Sequence, residues 1–157
     1  MNKENFAKLV MDSTDSLYRV SKSILRNDSD CEEAVSEAIM IAFQKLDSLK
    51  KDEYAKTWLT RILINECFHI RKQRSRITLI SDNSELILNS QEYSENRCYT
   101  DSDNYFDLYQ AMQHLTEDQR LAITLYYYEG YSVKEIAKIT GVTSGTVKSR
   151  LGRAEIS

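Results

Sequence analysis

Residues 132–154, SVKEIAKITGVTSGTVKSRLGRA, constrain the fold more than any other stretch of the sequence. Ser132 followed by Glu135 is a capping-box start, in which hydroxyl and carboxylate each satisfy a backbone N–H that a helix start would otherwise leave orphaned. The first helix is then expected to end at Gly141, the residue free to take the left-handed conformation a sharp turn needs. Thr143 is placed to cap a second helix. Ala137, Gly141 and Val147 stand where a helix-turn-helix needs a close approach, a turn and a buried β-branched residue. A unit of this kind lays its second helix in the major groove of DNA, and the exposed face of that helix is basic here.

The 157 residues have room for one ordinary domain or two small ones, and a hydrophobic content of 41% supports a packed core. No apolar run approaches the roughly 20 residues of a membrane span, so no membrane insertion is expected. The first residues, MNKENFAKLVMDSTDS, lack the continuous apolar stretch of a secretory signal. Cys31, Cys67 and Cys98 are an odd set without any CxxC, which fits thiols in a reducing cytosol better than a disulfide framework. The net charge of −3 looks wrong for a nucleic-acid binder, but its distribution is uneven. By segment it is −3 over residues 1–53, +5 over 54–76, −5 over 77–105, −3 over 106–131 and +3 over 132–157. Two basic blocks in an acidic chain give two separate candidate contact surfaces.

Residues 4–26 carry apolar positions at helical spacing, and Asn27 to Asp30 break the pattern with residues that favour turns and caps. From Cys31 to Leu49 a cleaner stripe runs through Ala34, Val35, Ala38, Ile39, Ala42 and Leu46. Glu32, Glu33 and Glu37 lie off it and should face water or a partner. Residues 54–76, YAKTWLTRILINECFHIRKQRSR, bury Leu59, Ile62, Leu63, Cys67 and Ile70 on one side. Trp58, Arg61, Asn65 and His69 recur at three- and four-residue intervals on another. An aromatic, an arginine, an amide and an imidazole on one face can stack on bases, hold phosphate and read base edges. The same tryptophan could equally be half-buried at an ordinary basic helix end. Arg71, Lys72 and Arg74, in the run RKQRSR, suit phosphate contacts.

Residues 77–104 lose periodicity and turn polar and acidic, which reads as a flexible linker of roughly 25–30 residues. Helical spacing resumes at Tyr105, with a second capping-box pattern at Thr116 to Gln119. The expected fold is therefore all-α: two small helical domains, 1–76 and 105–157, joined by a flexible acidic linker over 77–104, the second ending in the helix-turn-helix. No Ser/His/Asp or Cys/His arrangement, glycine-rich phosphate loop or metal cluster occurs, so no enzymatic activity, catalytic residue, cofactor or metal is expected. Cys67 and His69, two apart on a helix, point in different directions and make a poor metal pair.

In this order the features resemble bacterial RNA polymerase sigma factors of the sigma-70 family, in the short extracytoplasmic-function (ECF) group. Residues 17–46 are similar to the family's first promoter- and core-binding region (region 2), whose D-A-E-D-x-x-Q-E-type motif corresponds to Asp30 to Glu37. Residues 54–76 look like its promoter −10 segment, and residues 115–154 like its −35 domain (region 4), with GTVKSRL the most specific piece. The resemblance implies that Asp30, Glu32, Glu33, Ser36 and Glu37 dock on the clamp helices of the polymerase β′ subunit. It implies that Trp58, Arg61, Asn65, His69, Arg71, Lys72 and Arg74 open and hold the −10 element. It assigns the −35 duplex to Ser132, Thr143, Ser144, Gly145, Thr146, Lys148, Ser149, Arg150 and Arg153, and the β flap to the apolar surface of the same domain. Promoter DNA and core polymerase are the implied partners, in the bacterial cytoplasm and at the nucleoid. Many members are also held inactive by an anti-sigma factor.

The chain departs from the family pattern at three of these places. Ser36 stands where the motif carries glutamine, His69 where Asp or Asn is common, and Gly152 where the last helix usually has a bulkier residue. The alternative is a stand-alone helix-turn-helix regulator that binds an operator as a dimer; a helical adaptor without DNA contact is a third reading.

Overall fold

The computed structural model describes residues 1–81 and 110–156. Three helices form the first half. α1 (Lys3–Ile24) starts where the Asn2 side chain accepts the Asn5 N–H at 2.8 Å, and it buries Phe6, Leu17, Val20 and Ile24. α2 (Asp28–Gln44) starts three residues before the expected Cys31, because the Asn27 side chain accepts from the N–H groups of Ser29 (2.7 Å) and Asp30 (3.3 Å). Ala34, Ala38 and Ala42 are fully buried along α2, and these small residues let neighbouring helices approach closely.

α3 (Ala55–Ser81) buries Leu59, Leu63, Ile64, Cys67 and Ile70, while Ile62, expected in the same stripe, is only half-buried. It continues through residues 77–81, into the stretch expected to be linker. Neither proline nor glycine stands between Arg76 and Ser81 to stop it. The remainder of the expected linker, 82–104, and residues 105–109, where the second helical pattern was expected to begin, lie outside the described residues, as does Cys98.

In the second half, residues 110–113 are helical, and α4 (Glu117–Ile123) opens on the expected capping box between Thr116 and Gln119. α4 does not run on to Gly130 as a plain α-helix. It widens into a π-helical turn over Thr124–Tyr128, where the buried Thr124 hydroxyl donates to the Arg120 carbonyl (2.9 Å) and the Glu129 N–H reaches back to the Thr124 carbonyl (3.1 Å). α5 (Val133–Thr140) is closed at its start by the Ser132–Glu135 box and at its end by Gly141 at φ 75°. α6 (Ser144–Ile156) follows, with the Thr143 Oγ1 accepting the Thr146 N–H at 3.2 Å.

The halves pack on each other: α1 and α3 meet α4, the π turn and α5, and their apolar side chains join one cluster of buried residues. Polar groups lock this seam. The Arg120 side chain, 5% exposed as a residue, donates to the carbonyls of Ser23 (2.8 Å) and Leu115 (3.2 Å). The Glu129 carboxylate accepts from the Ser16 hydroxyl and from Arg19 Nε, and the Tyr131 and Thr60 hydroxyls pair at 3.1 Å.

Two measurements check these placements. An Ala Cβ would meet nothing within 4 Å at either Gly141 or Gly152, but only Gly141 has a positive φ. Gly141→Ala is therefore expected to lower unfolding stability by about 1–2 kcal/mol, and Gly152→Ala, inside α6, to raise it by about 1 kcal/mol, both read from urea unfolding. Burial pushes the Tyr131 phenol above its ordinary value, with Glu129 adding to the shift. A proton held more tightly in the folded state contributes stability in full below about pH 10, and that stability is lost as pH rises through the folded value. Stability should accordingly fall more steeply at alkaline pH in the wild type than in Tyr131→Phe.

Candidate nucleic-acid interface

On α3, the stripe predicted from spacing is intact. Arg61, Asn65, His69 and Lys72 are exposed, and Trp58 is half-buried against the core, leaving part of its ring at the surface. Gln73 and His69 Nε2 lie 3.2 Å apart and steady the imidazole. Thr60 and Ile64, on the other side of the helix, are buried. The stripe is thus the solvent face of a helix whose opposite side is used up in packing.

The basic run at the end of this segment does not act as one patch. Lys72 and Arg76 fall on the Trp58 side at three- and four-residue steps, whereas Arg71 and Arg74 turn away from it. Arg71 lies over the Phe68 ring, 4.7 Å from its centroid, and is ion-paired with Glu117 of α4. Arg74 donates to Asp30 at 2.8 Å, and that carboxylate holds the guanidinium even more firmly protonated than usual. Spacing alone separates the two sides, but it could not reveal these partners, because both anions lie on other helices.

On α2, Glu32, Glu33 and Ser36 are exposed and Glu37 is half-exposed, as an acidic docking face requires. Asp30, grouped with them from the sequence, is 7% exposed and turned inward to Arg74. Two apolar residues that sequence reasoning passed over extend the face: Met40 and Phe43 are 49% and 47% exposed. Their signal was available, since both fall off the buried stripe at helical steps from Glu33 and Ser36.

On α6, Val147, Leu151 and Ala154 pack inward. Ser144, Gly145, Lys148, Ser149 and Arg153 are exposed, which leaves a basic, narrow outer face. Ser132 is exposed, but its hydroxyl serves the α5 cap, and Thr143 and Thr146 are 2.9 Å apart at the α6 start. Arg150 is drawn aside towards Asp118, 3.6 Å away. Among the described residues no cluster could hold a metal ion, and no helix is long and apolar enough to cross a membrane. Cys67 is buried while His69 is exposed, so the two do not converge, and burial raises the Cys31 and Cys67 thiols above their ordinary range.

Comparison with known proteins adds the family context. A model of sigma-70 region 2 matches residues 9–77, and a model of sigma-70 region 4 matches residues 105–156. The RNA polymerase sigma factor SigV of Bacillus subtilis is 28% identical over 145 residues, which span 92% of this chain and 83% of that protein. The ECF RNA polymerase sigma-E factor of Escherichia coli is 30% identical over 135 residues, 80% of this chain and 70% of that protein. Among solved structures, the sigma factor RpoE in complex with the anti-sigma factor NepR from Bartonella quintana superposes with a TM-score of 0.79 at 28% identity, covering 97% of this chain and 92% of that one. CnrH in complex with the cytosolic domain of CnrY gives 0.66 at 21% identity, covering 99% and 85%, a likeness of fold.

The Asp30–Arg74 pair can be measured directly. A double-mutant cycle of Asp30→Asn and Arg74→Gln in urea unfolding is expected to give a coupling of about 0.5–1 kcal/mol, limited by the exposure of Arg74. A coupling of zero would show that the two groups do not hold each other.

Proposed function

The chain belongs to the ECF group of sigma-70-family RNA polymerase sigma factors, which direct transcription initiation, and from that premise we propose a specific division of labour along it. Residues 1–76 are the region 2 domain, 105–157 the region 4 domain, and 77–104 the connection between them. The exposed stripe of Trp58, Arg61, Asn65, His69 and Lys72 on α3 opens the −10 element and holds the unstacked bases. Stacking on the tryptophan and hydrogen bonds from the amide and imidazole suit single-stranded bases, while arginine and lysine suit the backbone. The outer face of α6 reads the −35 duplex through Ser144, Lys148, Ser149 and Arg153, with Thr143 and Thr146 fixing its start.

The observation that carries this reading is the α3 stripe, which gathers base-stacking, base-reading and phosphate-holding groups on the one side of the helix left free by packing. The exposed acids of α2, extended by Met40 and Phe43, dock on the β′ clamp helices, and the region 4 domain meets the β flap through apolar surface. The work is binding and positioning; the chemistry of RNA synthesis belongs to core polymerase, with which the protein acts at the nucleoid in the cytoplasm. An anti-sigma factor is a fitting further partner, since the 28% identical sigma factor RpoE was solved in complex with the anti-sigma factor NepR.

Run-off transcription with purified core polymerase, with and without this protein, is the deciding experiment, and specific initiation only with both is the expected result. Tight operator binding by the isolated protein, with no initiation on any promoter of a genomic library, would favour the stand-alone regulator instead. Trp58→Ala is expected to impair strand opening, read by permanganate footprinting, more than closed-complex formation. Lys148→Ala should weaken −35 binding and flatten the dependence of log K on log salt by about 1. Glu33→Lys should weaken competition for core and spare DNA contact.

A further inference from the structure

Between the C-terminal part of α1 and the second half lies a partly open cleft of about 100 Å³. α1 contributes Arg19, Lys22 and Ser23, and the facing wall is made by Met112, Arg120, Thr124 and Tyr128. The lining is mostly apolar, as a thioether, an aromatic ring and the stems of long cations make it. The polar groups of its buried residues are already committed. The Ser23 hydroxyl donates to the Val20 carbonyl (2.6 Å), the Thr124 hydroxyl to the Arg120 carbonyl (2.9 Å), and the Arg120 side chain to the carbonyls of Ser23 and Leu115. Arg19 is different. It spends Nε on Glu129 at 2.8 Å, while the terminal nitrogens of its guanidinium have no partner among the described residues. Lys22 donates to Asp28 (2.6 Å) and to the Arg26 carbonyl (3.3 Å), which leaves one donor of its ammonium. We propose that this cleft binds a small aromatic carboxylate, its ring against the apolar walls and its carboxylate held by the Arg19 guanidinium with help from Lys22.

Size, layout and charge each select this class of ligand. An apolar cavity of about 150 Å³ takes up benzene, so a cleft of about 100 Å³ with an open mouth seats one ring and leaves its substituent at the mouth. Arg19 and Lys22 keep 44% and 26% of their side-chain surface exposed, whereas Ser23, Arg120 and Thr124 are buried. The charge open to a ligand therefore stands at the mouth, and the apolar surface lies within. Among the described residues cations line the cleft and no acid does, because Glu129 and Asp28 stand beside it rather than in it. A carboxylate presents two coplanar oxygens, which the planar fork of a guanidinium matches. A bare anion would leave the walls unused and a neutral ring would leave the arginine unused; a ring bearing a carboxylate uses both. The site does not rest on the promoter reading, because none of its residues belongs to the α3 stripe or to the outer face of α6.

The test uses the full chain labelled with carbon-13 in its methionine methyl groups, with benzoate as the probe. Of the four methionines only Met112 lines the cleft, while Met11 and Met40 are exposed elsewhere, at 77% and 49%. Benzoate is expected to move the Met112 methyl resonance saturably, with half-saturation at about 1 mM for a ligand of this size, and to leave Met11 and Met40 in place. Benzyl alcohol, which keeps the ring, and acetate, which keeps the charge, should each bind at least about tenfold more weakly. Arg19→Gln should weaken benzoate binding about tenfold. Arg19→Lys, which keeps the charge and can still pair with Glu129, should weaken it about threefold for want of the planar fork. Circular dichroism checks that both variants fold. Absence of a saturable Met112 shift up to about 20 mM benzoate would overturn the site. Equal shifts at Met11 and Met40 would do the same, by showing uptake on apolar surface in general. Unchanged affinity in both Arg19 variants, or benzyl alcohol binding as tightly as benzoate, would overturn the carboxylate as the recognised group.

Discussion

The arrangement of the two halves depends on one buried cation. Arg120 leaves α4 and reaches the carbonyl of Ser23, in the last turn of α1, while a second nitrogen of the same side chain holds the carbonyl of Leu115, just ahead of α4. The Ser23 carbonyl lies in the last turn of α1, where no continuing helix satisfies it, and a buried orphan of this kind is costly. The positive charge also sits where the dipole of α1 is negative. One side chain therefore completes the end of α1 from the other half and braces the approach to α4 within its own, so the α1 end is not complete without the second half. Glu129, whose carboxylate is 1% exposed, adds a second lock on the same helix through Ser16 and Arg19. Water can replace each of these bonds once the halves separate, so the contact is specific in geometry yet reversible.

Packing within the first half determines what remains available for binding. The fully buried alanines of α2 bring helices close, and α3 gives Leu59, Leu63, Cys67 and Ile70 to that contact. α5 then takes the side of α3 that carries Thr60. With two sides occupied, the stripe from Trp58 to Lys72 is what is left to solvent. The same logic holds for α6, where Val147 and Leu151 pack inward and the basic residues are displaced outward. The proposed contact surfaces are in this sense what packing leaves over, and each is as rigid as the helix behind it.

Features set by near neighbours were legible in the sequence. Both capping boxes, the left-handed Gly141 and the Thr143 cap involve partners within about four residues, and each formed where the chain chemistry indicated. The all-α character and the Trp58 stripe followed from periodicity in the same way. What spacing could not supply was the choice of distant partners. Asp30 reads as one more acid beside Glu32 and Glu33, but burial and a helix 44 residues away make it a counterion for Arg74. Arg71 reads as a phosphate contact, and spacing gives no hint that Glu117 pairs with it. The continuation of α3 past Arg76 is not legible from periodicity, because the apolar run Ile77-Thr78-Leu79-Ile80 is too short to show a helical repeat before the polar stretch begins, although nothing in Ile77 to Ser81 forbids the helix.

The π turn at Thr124–Tyr128 has a consequence for how the sequence tolerates change in length. Such a turn accommodates one residue more than an α-helical turn would over the same rise, and in an ordinary helix each residue accounts for roughly 100° of rotation. Leu125 stays in the core, Tyr126 and Tyr127 come to the surface, and Glu129 and Tyr131 arrive in register with α1 and α3. Losing a single residue here would let the helix relax to regular geometry and keep its hydrogen bonds. It would also swing Glu129 and Tyr131 by about a quarter turn away from Arg19 and Thr60. The segment works as a shim: a one-residue deletion, harmless to helix content, would uncouple the two halves.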